Sequence, residues 1–257
     1  MNRPKHGLRL KIASLAPNAT SILVAIGAKR QLVGVSRWCS EVADVRGLPK
    51  LGDCWRIDLK PLERLHPELV VGSVPFASDA VSQILLHPWK FLALNPRSLA
   101  DIYSDIWLLG SLTQRQASAE KLIRRMKGTF EEISRHANNK RSRPRVYCEA
   151  WPSPRISSPP WVKELVKIAG GEFIEPAGAK VSDEEVARGK PDVIVLAWTA
   201  TGKKAKPSSV LQNRKWQELP AIRNRRVFVI SDELLNTPGP PLEKGAEALF
   251  RVLHEEN

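Results

Sequence analysis

Short hydrophobic runs and amphipathic stretches alternate along the chain. The runs favour β-strands and cover residues 10–15, 32–35, 68–73, 91–94, 145–149, 192–197 and 226–230. Amphipathic stretches that separate or follow them cover residues 19–26, 58–65, 79–86, 161–169, 183–188 and 242–253. Strands that alternate with helices are typical of parallel βα units. The pattern predicts an α/β protein with two Rossmann-like α/β lobes.

The segment between the two halves, residues 113–139, contains no Pro and one Gly. Its apolar residues recur at three- and four-residue steps, which places them on one face of a helix. They are Ala119, Leu122, Ile123, Met126, Phe130, Ile133 and Ala137. We predict one long helix that joins the lobes. The domains are then an N-terminal lobe over residues 1–112, a linker helix over 113–140 and a C-terminal lobe over 141–257.

Composition and charge narrow the class of protein. The chain has 257 residues, 42% of them hydrophobic, which excludes a disordered or collagen-like chain. Lys and Arg exceed Asp and Glu by 40 to 27, for a formal charge of +13, and residues 113–143 alone carry nine basic and three acidic residues. We interpret this excess as a solvated helix face, because no helix-turn-helix, zinc-finger or RNA-binding motif accompanies it. A basic interaction protein stays open as a hypothesis, although we do not expect nucleic-acid binding.

Signatures of catalysis and of metal binding are absent from the sequence. It contains no GxSxG, no GxGxxG after a strand and no HExxH. The segment from Ala200 to Lys204 only faintly resembles a phosphate loop, and the five histidines are scattered singly. The three cysteines have no CxxC spacing, which leaves one Cys39–Cys54 bridge open. We therefore expect a protein that is not an enzyme and has no intrinsic metal or cofactor.

The start of the chain is polar, and no apolar stretch approaches about 18 residues. We expect no membrane insertion and, for the chain as it stands, a cytoplasmic location. The alternative is a periplasmic protein whose precursor carries an upstream signal.

Tryptophan is the residue type that points to a ligand. Eight Trp accompany only two Tyr and six Phe. Trp107 and Trp161 fit helical periodicity and are predicted to be core residues. Four others follow predicted strands or lie in loops; they are Trp38, Trp55, Trp151 and Trp198. Because ligands of open α/β sheets bind beyond the carboxyl ends of the strands, these indoles predict an apolar site for a ligand with a large planar face.

Several segments resemble the helical-backbone periplasmic binding proteins, the vitamin B12 and iron-siderophore receptors of ABC importers. In the first half they are 12-IASLAPNAT-20, Gly27, 32-LVGVS-36 with Trp38-Cys39, 48-LPKLG-52, Asp58-Leu59 and 63-ERLHPELVV-71. In the second half they are 149-EAWPSP-154, 161-WVKEL-165, 169-AGG-171, 191-PDVIV-195 and 237-TPGP-240. The segment around 149–171 resembles cobalamin-binding members in particular. The resemblance covers residues 9–254.

The resemblance implies a monomeric binding protein that holds its ligand between two lobes. Carried over by position, Pro17 and Asn18 end the first strand, and Trp38, Trp55, Trp151 and Trp198 line the two lobes. Arg37 and Glu149 are expected to anchor the amide rim of a corrinoid. A ferric siderophore or haem is the alternative ligand, for which Arg37, Arg56 and Arg155 are candidate anchors.

The resemblance also implies an ABC importer permease as the partner. Glu184 matches the acidic residue with which the C-terminal lobe docks, whereas the N-terminal position falls at Ser78 and Asp79 without a Glu. Two further departures are Ser21, where the family usually has an acidic residue, and Pro241, where it usually has Arg.

Overall fold

The computed structural model describes residues 10–53, 55, 57–77, 79–199, 205–208, 210 and 216–254. They divide into two compact units. Unit 1 comprises the described residues up to Pro96 together with Ala100–Arg124, and unit 2 comprises Arg97–Leu99 together with the described residues from Arg125 onward.

Unit 1 contains a parallel sheet of five strands in the order β3-β2-β1-β4-β5. The strands are β1 (Ile12–Ser14), β2 (Leu32–Ser36), β3 (Lys50–Leu51), β4 (Leu69–Ser73) and β5 (Lys90–Leu94). Apolar residues from β1, β3 and β4, from the position after β1 and from two helices form a buried cluster of Ala13, Leu15, Leu51, Leu62, Val70 and Ile84. Because all strands are parallel, their carboxyl ends lie at one edge of the sheet.

The helices of unit 1 begin and end at recognisable signals. They are α1 (Pro17–Ala25), α2 (Leu59–Leu65), α3 (Ala80–Leu85), α4 (Leu99–Leu112) and the first part of α5 (Gln116–Asn138). Pro17 starts α1, where a missing N–H costs nothing, and Gly27 adopts φ 78° after its end. The Asp58 side chain accepts a hydrogen bond from the Lys60 N–H and caps α2.

Unit 2 contains a second sheet in the order β10-β9-β6-β7, with β8 paired to β6. The strands are β6 (Arg145–Pro152), β7 (Arg155–Ser157), β8 (Glu172–Phe173), β9 (Val193–Leu196) and β10 (Val227–Val229). β7 returns antiparallel to β6, and the other pairings are parallel. The helices are the rest of α5, then α6 (Pro160–Ile168), α7 (Asp183–Gly189), α8 (Pro220–Arg223), α9 (Asp232–Leu235) and α10 (Leu242–His254).

The long helix is present as α5 and starts later than predicted. Gln114 adopts φ 58° in the turn that separates α4 from α5, so the helix begins at Gln116 and not at residue 113. Of its predicted stripe, all residues but the half-buried Ile123 are buried. The division between the two units falls within α5, at Arg124 and Arg125.

Some sequence expectations were wrong. The sequence pattern did not predict α4, β3, β7 or β8. Trp161 is buried as expected and donates its Nε1–H to the Leu235 carbonyl at 2.8 Å, whereas Trp107 is 43% exposed on α4 and is not a core residue. No helix in the described part of the chain combines the length and the apolar character that crossing a membrane requires.

Candidate ligand-binding surfaces

The carboxyl edge of the unit 1 sheet carries a cluster that we call the unit 1 surface, formed by Arg37, Trp38, Asp53 and Trp55. Arg37 and Trp38 lie in a 3-10 turn directly after β2, and Asp53 and Trp55 follow β3. The Trp38 Nε1–H donates to Asp53 Oδ2 at 2.9 Å, and the Trp55 backbone N–H donates to Asp53 Oδ1 at 3.0 Å. One carboxylate therefore positions both tryptophans.

Arg37 completes the unit 1 surface. Its guanidinium lies 3.8 Å from Asp53 Oδ2 and 4.7 Å from the centre of the Trp38 ring, a cation–π distance. Asp53 itself is only 8% exposed, whereas Trp55 is 61% exposed. The accessible part of the surface is thus mainly indole and guanidinium. Asp53 was not predicted as a site residue, although its place two residues before Trp55 was a signal.

Asn18, in the first turn of α1, is connected by hydrogen bonds to the carboxyl ends of two strands of the unit 1 sheet. It is 3% exposed, and its Nδ2–H donates to Ser73 Oγ at 3.2 Å, while Ser73 Oγ donates to the Leu94 carbonyl at 3.3 Å. Asn18 therefore ties the start of α1 to the ends of β4 and β5. Pro17, the first residue of α1, is half-buried beside it. Ligand contacts from these two residues stay a prediction.

Cys39 is a free, buried thiol in the turn after β2. Its Sγ lies 3.0 Å from Thr20 Oγ1 and 3.2 Å from Ser36 Oγ. Burial raises the pKa of the Cys39 thiol, which therefore stays protonated. The bridge to Cys54 that the sequence left open is not formed, since Cys39 is free; Cys54 lies outside the described residues.

A second cluster, the unit 2 surface, is formed by Glu149, Trp151, Arg155 and Trp198. Trp198 follows β9, and Trp151 lies inside β6, which is longer than predicted and continues to Pro152. Trp151 is 38% exposed and donates its Nε1–H to the Ser153 carbonyl at 2.9 Å. Both indoles thus lie towards the carboxyl ends of neighbouring parallel strands.

Glu149 is fully buried and accepts hydrogen bonds from at least three residues in the described part of the chain. The Trp198 Nε1–H donates to Oε1 at 2.8 Å, and the Tyr147 hydroxyl and Arg155 Nε–H donate to Oε2 at 2.8 and 3.1 Å. The Glu149 carboxylate positions Trp198 and Arg155, and its expected contact with a ligand rim stays a prediction.

Arg155 likewise pairs with other residues of unit 2. Besides Glu149 it forms an ion pair with Asp183 and lies 5.0 Å from the centre of the Trp216 ring. Its side chain is 12% exposed, so it does not provide an open cationic anchor for an anionic chelate. Arg56 and the loop from Ala200 to Lys204 lie outside the described residues.

The two acidic residues expected to dock a permease are both exposed. Asp79 precedes α3 and accepts from Gln83 Nε2 at 2.5 Å. Glu184 lies in the first turn of α7, where Ser182 and Glu185 form a capping box. Ser78 lies outside the described residues, and docking by Asp79 and Glu184 stays a prediction. Within the described ranges, no group of three or more His, Cys, Asp or Glu side chains could hold a metal ion.

The chain belongs to the periplasmic binding protein family, whose sequence pattern matches residues 12–234. This membership confirms the resemblance drawn from the sequence. The family and the two α/β units define a substrate-binding protein of the ABC-transporter type.

Individual relatives are distant but nearly full-length. The ABC transporter substrate-binding lipoprotein YvrC of Bacillus subtilis is 27% identical over 96% of this chain and 80% of its own length. A vitamin B12-binding protein of Vibrio vulnificus is 23% identical over 90% of this chain and 85% of its own length.

Solved structures share the fold. The vitamin B12-binding protein BtuF of Vibrio cholerae superposes with a TM-score of 0.74 at 20% identity, covering 94% of this chain and 95% of its own. A periplasmic haem-binding protein of Pseudomonas aeruginosa gives a TM-score of 0.83 at 19% identity, covering 95% and 92%. At such identities the likeness establishes the fold alone.

Proposed function

We propose that this protein binds cobalamin or a related corrinoid without transforming it chemically, and that its accessible tryptophans provide the apolar contact. The observation that carries the proposal is the exposure of two indoles, Trp55 at 61% and Trp151 at 38%, together with Trp38 and Trp198, which the buried carboxylates of Asp53 and Glu149 position. Buried tryptophan contacts contribute strongly to binding because of their large apolar area.

The charge of the two surfaces favours a large neutral ligand. Asp53 lies close to Arg37, and Glu149 together with Asp183 pairs with Arg155. An anionic chelate would have to compete with these internal carboxylates for the guanidinium groups. A corrinoid presents a broad apolar face with a rim of amides and requires few charged anchors, which suits such surfaces.

Haem or a ferric siderophore is the second candidate, because several structural neighbours are described as haem-binding proteins. Haem iron is commonly held by an axial His, Tyr, Met or Cys. His66 and His87 precede β4 and β5 and so lie towards the opposite edge of the unit 1 sheet, and the Tyr147 hydroxyl donates to Glu149. These placements favour the corrinoid, because neither these two histidines nor Tyr147 offers an axial iron ligand at the unit 1 or unit 2 surface. Tyr103, half-buried on α4, is the tyrosine to test for haem.

The partner we propose is an ABC importer permease, contacted through Asp79 and Glu184. Support comes from YvrC, which is described as an ABC transporter lipoprotein, and from the family's periplasmic members. The same relatives favour the location outside the cytoplasmic membrane over the cytoplasmic one.

Isothermal titration with cyanocobalamin and cobinamide tests the ligand. We expect a Kd below about 100 μM, roughly 5.5 kcal/mol of binding free energy. Trp55→Ala and Trp151→Ala should each weaken binding about tenfold or more, because each removes an accessible indole. Trp107→Ala is the matched control, since Trp107 is 43% exposed on α4 and belongs to neither surface.

The same titration with haem and ferric siderophores decides between the candidates. Haem binding that Tyr103→Phe weakens, with no response to either corrinoid, would assign the alternative. The proposed site would be refuted if the folded protein bound none of these ligands. It would also be refuted if Trp107→Ala and Trp151→Ala reduced the affinity equally.

A further inference from the structure

Unit 1 has a surface pocket at the edge of its sheet opposite to the unit 1 surface. The pocket has a volume of about 830 Å³ and is lined by Gly27, Lys29, Arg30, Leu32, Leu48 and Arg115. Leu32 is the first residue of β2, whereas Arg37 follows the last. Leu32 and Arg37 are five residues apart, which at roughly 3.3 Å per residue corresponds to about 16 Å. The pocket is therefore distinct from the unit 1 surface.

Two chain segments that are far apart in sequence build this pocket. Lys29 and Arg30 lie in a 3-10 turn that ends at Gln31, and Arg115 lies between α4 and α5. The buried Gln31 side chain donates from Nε2 to the Thr113 carbonyl at 2.9 Å and joins the two segments. The Arg115 N–H donates to the Gly110 carbonyl at 2.7 Å and fixes the turn. The backbones that carry the cations are therefore held in place.

The positive charge of the pocket is only partly neutralised. Lys29 Nζ lies 3.3 Å from Asp44 Oδ2, and Asp44 also accepts from Arg46. Neither Arg30 nor Arg115 forms a side-chain hydrogen bond or ion pair with any residue that the structure describes. Two guanidinium groups therefore remain available to an incoming anion. Arg115 immediately precedes α5, whose first N–H groups and positive dipole end also favour an anion.

We propose that this pocket binds a phosphate-bearing anion through Arg30 and Arg115. Guanidinium groups suit phosphate because their N–H donors match two phosphate oxygens at once. Lys29 contributes less, because Asp44 already neutralises it. The volume admits a group larger than one phosphate, such as a pyrophosphate or the headgroup of an anionic lipid, and Leu32 and Leu48 supply apolar wall beside it.

Calorimetric titration with sodium pyrophosphate at constant ionic strength tests the site. We expect saturable binding that Arg30→Gln and Arg115→Gln each weaken about tenfold, since each removes charge-assisted hydrogen bonds. Lys29→Gln should weaken binding less than either. Arg251→Gln is the matched control, an identical change of charge at an exposed position on α10 in unit 2. Unchanged denaturant midpoints show that the variants fold.

A second arm distinguishes the source of the phosphate. Vesicles of phosphatidylglycerol should retain the wild-type protein, and vesicles of phosphatidylcholine should not, if the ligand is a lipid headgroup. Pyrophosphate binding without vesicle binding would assign a free anion. The proposal is overturned if neither probe binds, or if Arg251→Gln weakens binding as much as Arg30→Gln, because the effect would then be one of net charge.

Discussion

Replacing Glu149 should destabilise unit 2 and, through Trp198, weaken ligand binding. Glu149→Ala removes a fully buried carboxylate that accepts from Trp198, Tyr147 and Arg155. Removing one partner of a buried ion pair costs about 3–5 kcal/mol. Each buried donor left without an acceptor costs about 1–3 kcal/mol, but these costs do not add fully. We expect a loss of about 4 kcal/mol in the free energy of unfolding.

The isosteric variant separates charge from shape. In Glu149→Gln the amide oxygen keeps the Trp198 hydrogen bond, and the amide N–H can donate to the Tyr147 hydroxyl. The amide nitrogen then faces the Arg155 Nε–H, so two donors oppose each other where an ion pair stood. We expect the free energy of unfolding to fall by about 2 kcal/mol, which is the typical contribution of a hydrogen bond to a charged group.

Guanidinium chloride unfolding followed by tryptophan fluorescence measures both losses. Glu247→Ala is the control, because Glu247 is exposed on α10 and should change the free energy of unfolding by less than about 0.5 kcal/mol. If Glu149→Ala costs no more than Glu247→Ala, the carboxylate does not organise unit 2. If Glu149→Gln costs as much as Glu149→Ala, the charge of Glu149 matters and its shape does not.

Two further predictions concern pH and packing. Burial raises the pKa of Glu175 from its usual 4.5 to about 8, so Glu175 ionises in the unfolded chain at a lower pH than in the folded protein. The free energy of unfolding should therefore fall as pH rises between those values, by at most roughly 1.4 kcal/mol per pH unit. Glu175→Gln should flatten this part of the pH dependence, and an unchanged slope would contradict the assignment. A Cβ at Gly245 would clash with the Leu234 carbonyl oxygen, which is backbone and cannot rotate away. Gly245→Ala should therefore cost more than about 2 kcal/mol by thermal unfolding, whereas Gly128→Ala on α5, with open space around it, should not.

The sequence predicted strands where the chain is uniformly buried. β9 reads Val-Ile-Val-Leu, and its four residues have no exposure, so apolar character alone marked it. α4 was not predicted because its exposed face also carries apolar residues. Trp107, Leu108 and Leu112 are exposed, so the sequence shows no alternation between an apolar and a polar helix face. β3 has two residues, too few for any periodicity, and exists because β2 pairs with it.

The tryptophans of the candidate site were predictable, but the carboxylates that position them were not. Trp38 meets Asp53 across 15 residues of sequence, and Trp198 meets Glu149 across 49. Such pairs depend on which strands become neighbours, and a single sequence carries no local signal for that. For the same reason the internal partners of Glu149 were not predicted, since a lone acidic residue near Trp151 gives no sign that Arg155 returns to it across the β6–β7 hairpin.

The indole N–H groups of Trp38, Trp151 and Trp198 all donate to acceptors within the protein. A small sugar or amino acid that reached these surfaces would give up hydrogen bonds to water and receive none from these rings in return, at a cost of about 1–3 kcal/mol for each group left unpaired. A ligand with a broad carbon skeleton gives up little water and gains the full ring contact. The inward hydrogen bonds of these three rings therefore disfavour small polar solutes, which receive no indole hydrogen bond in return.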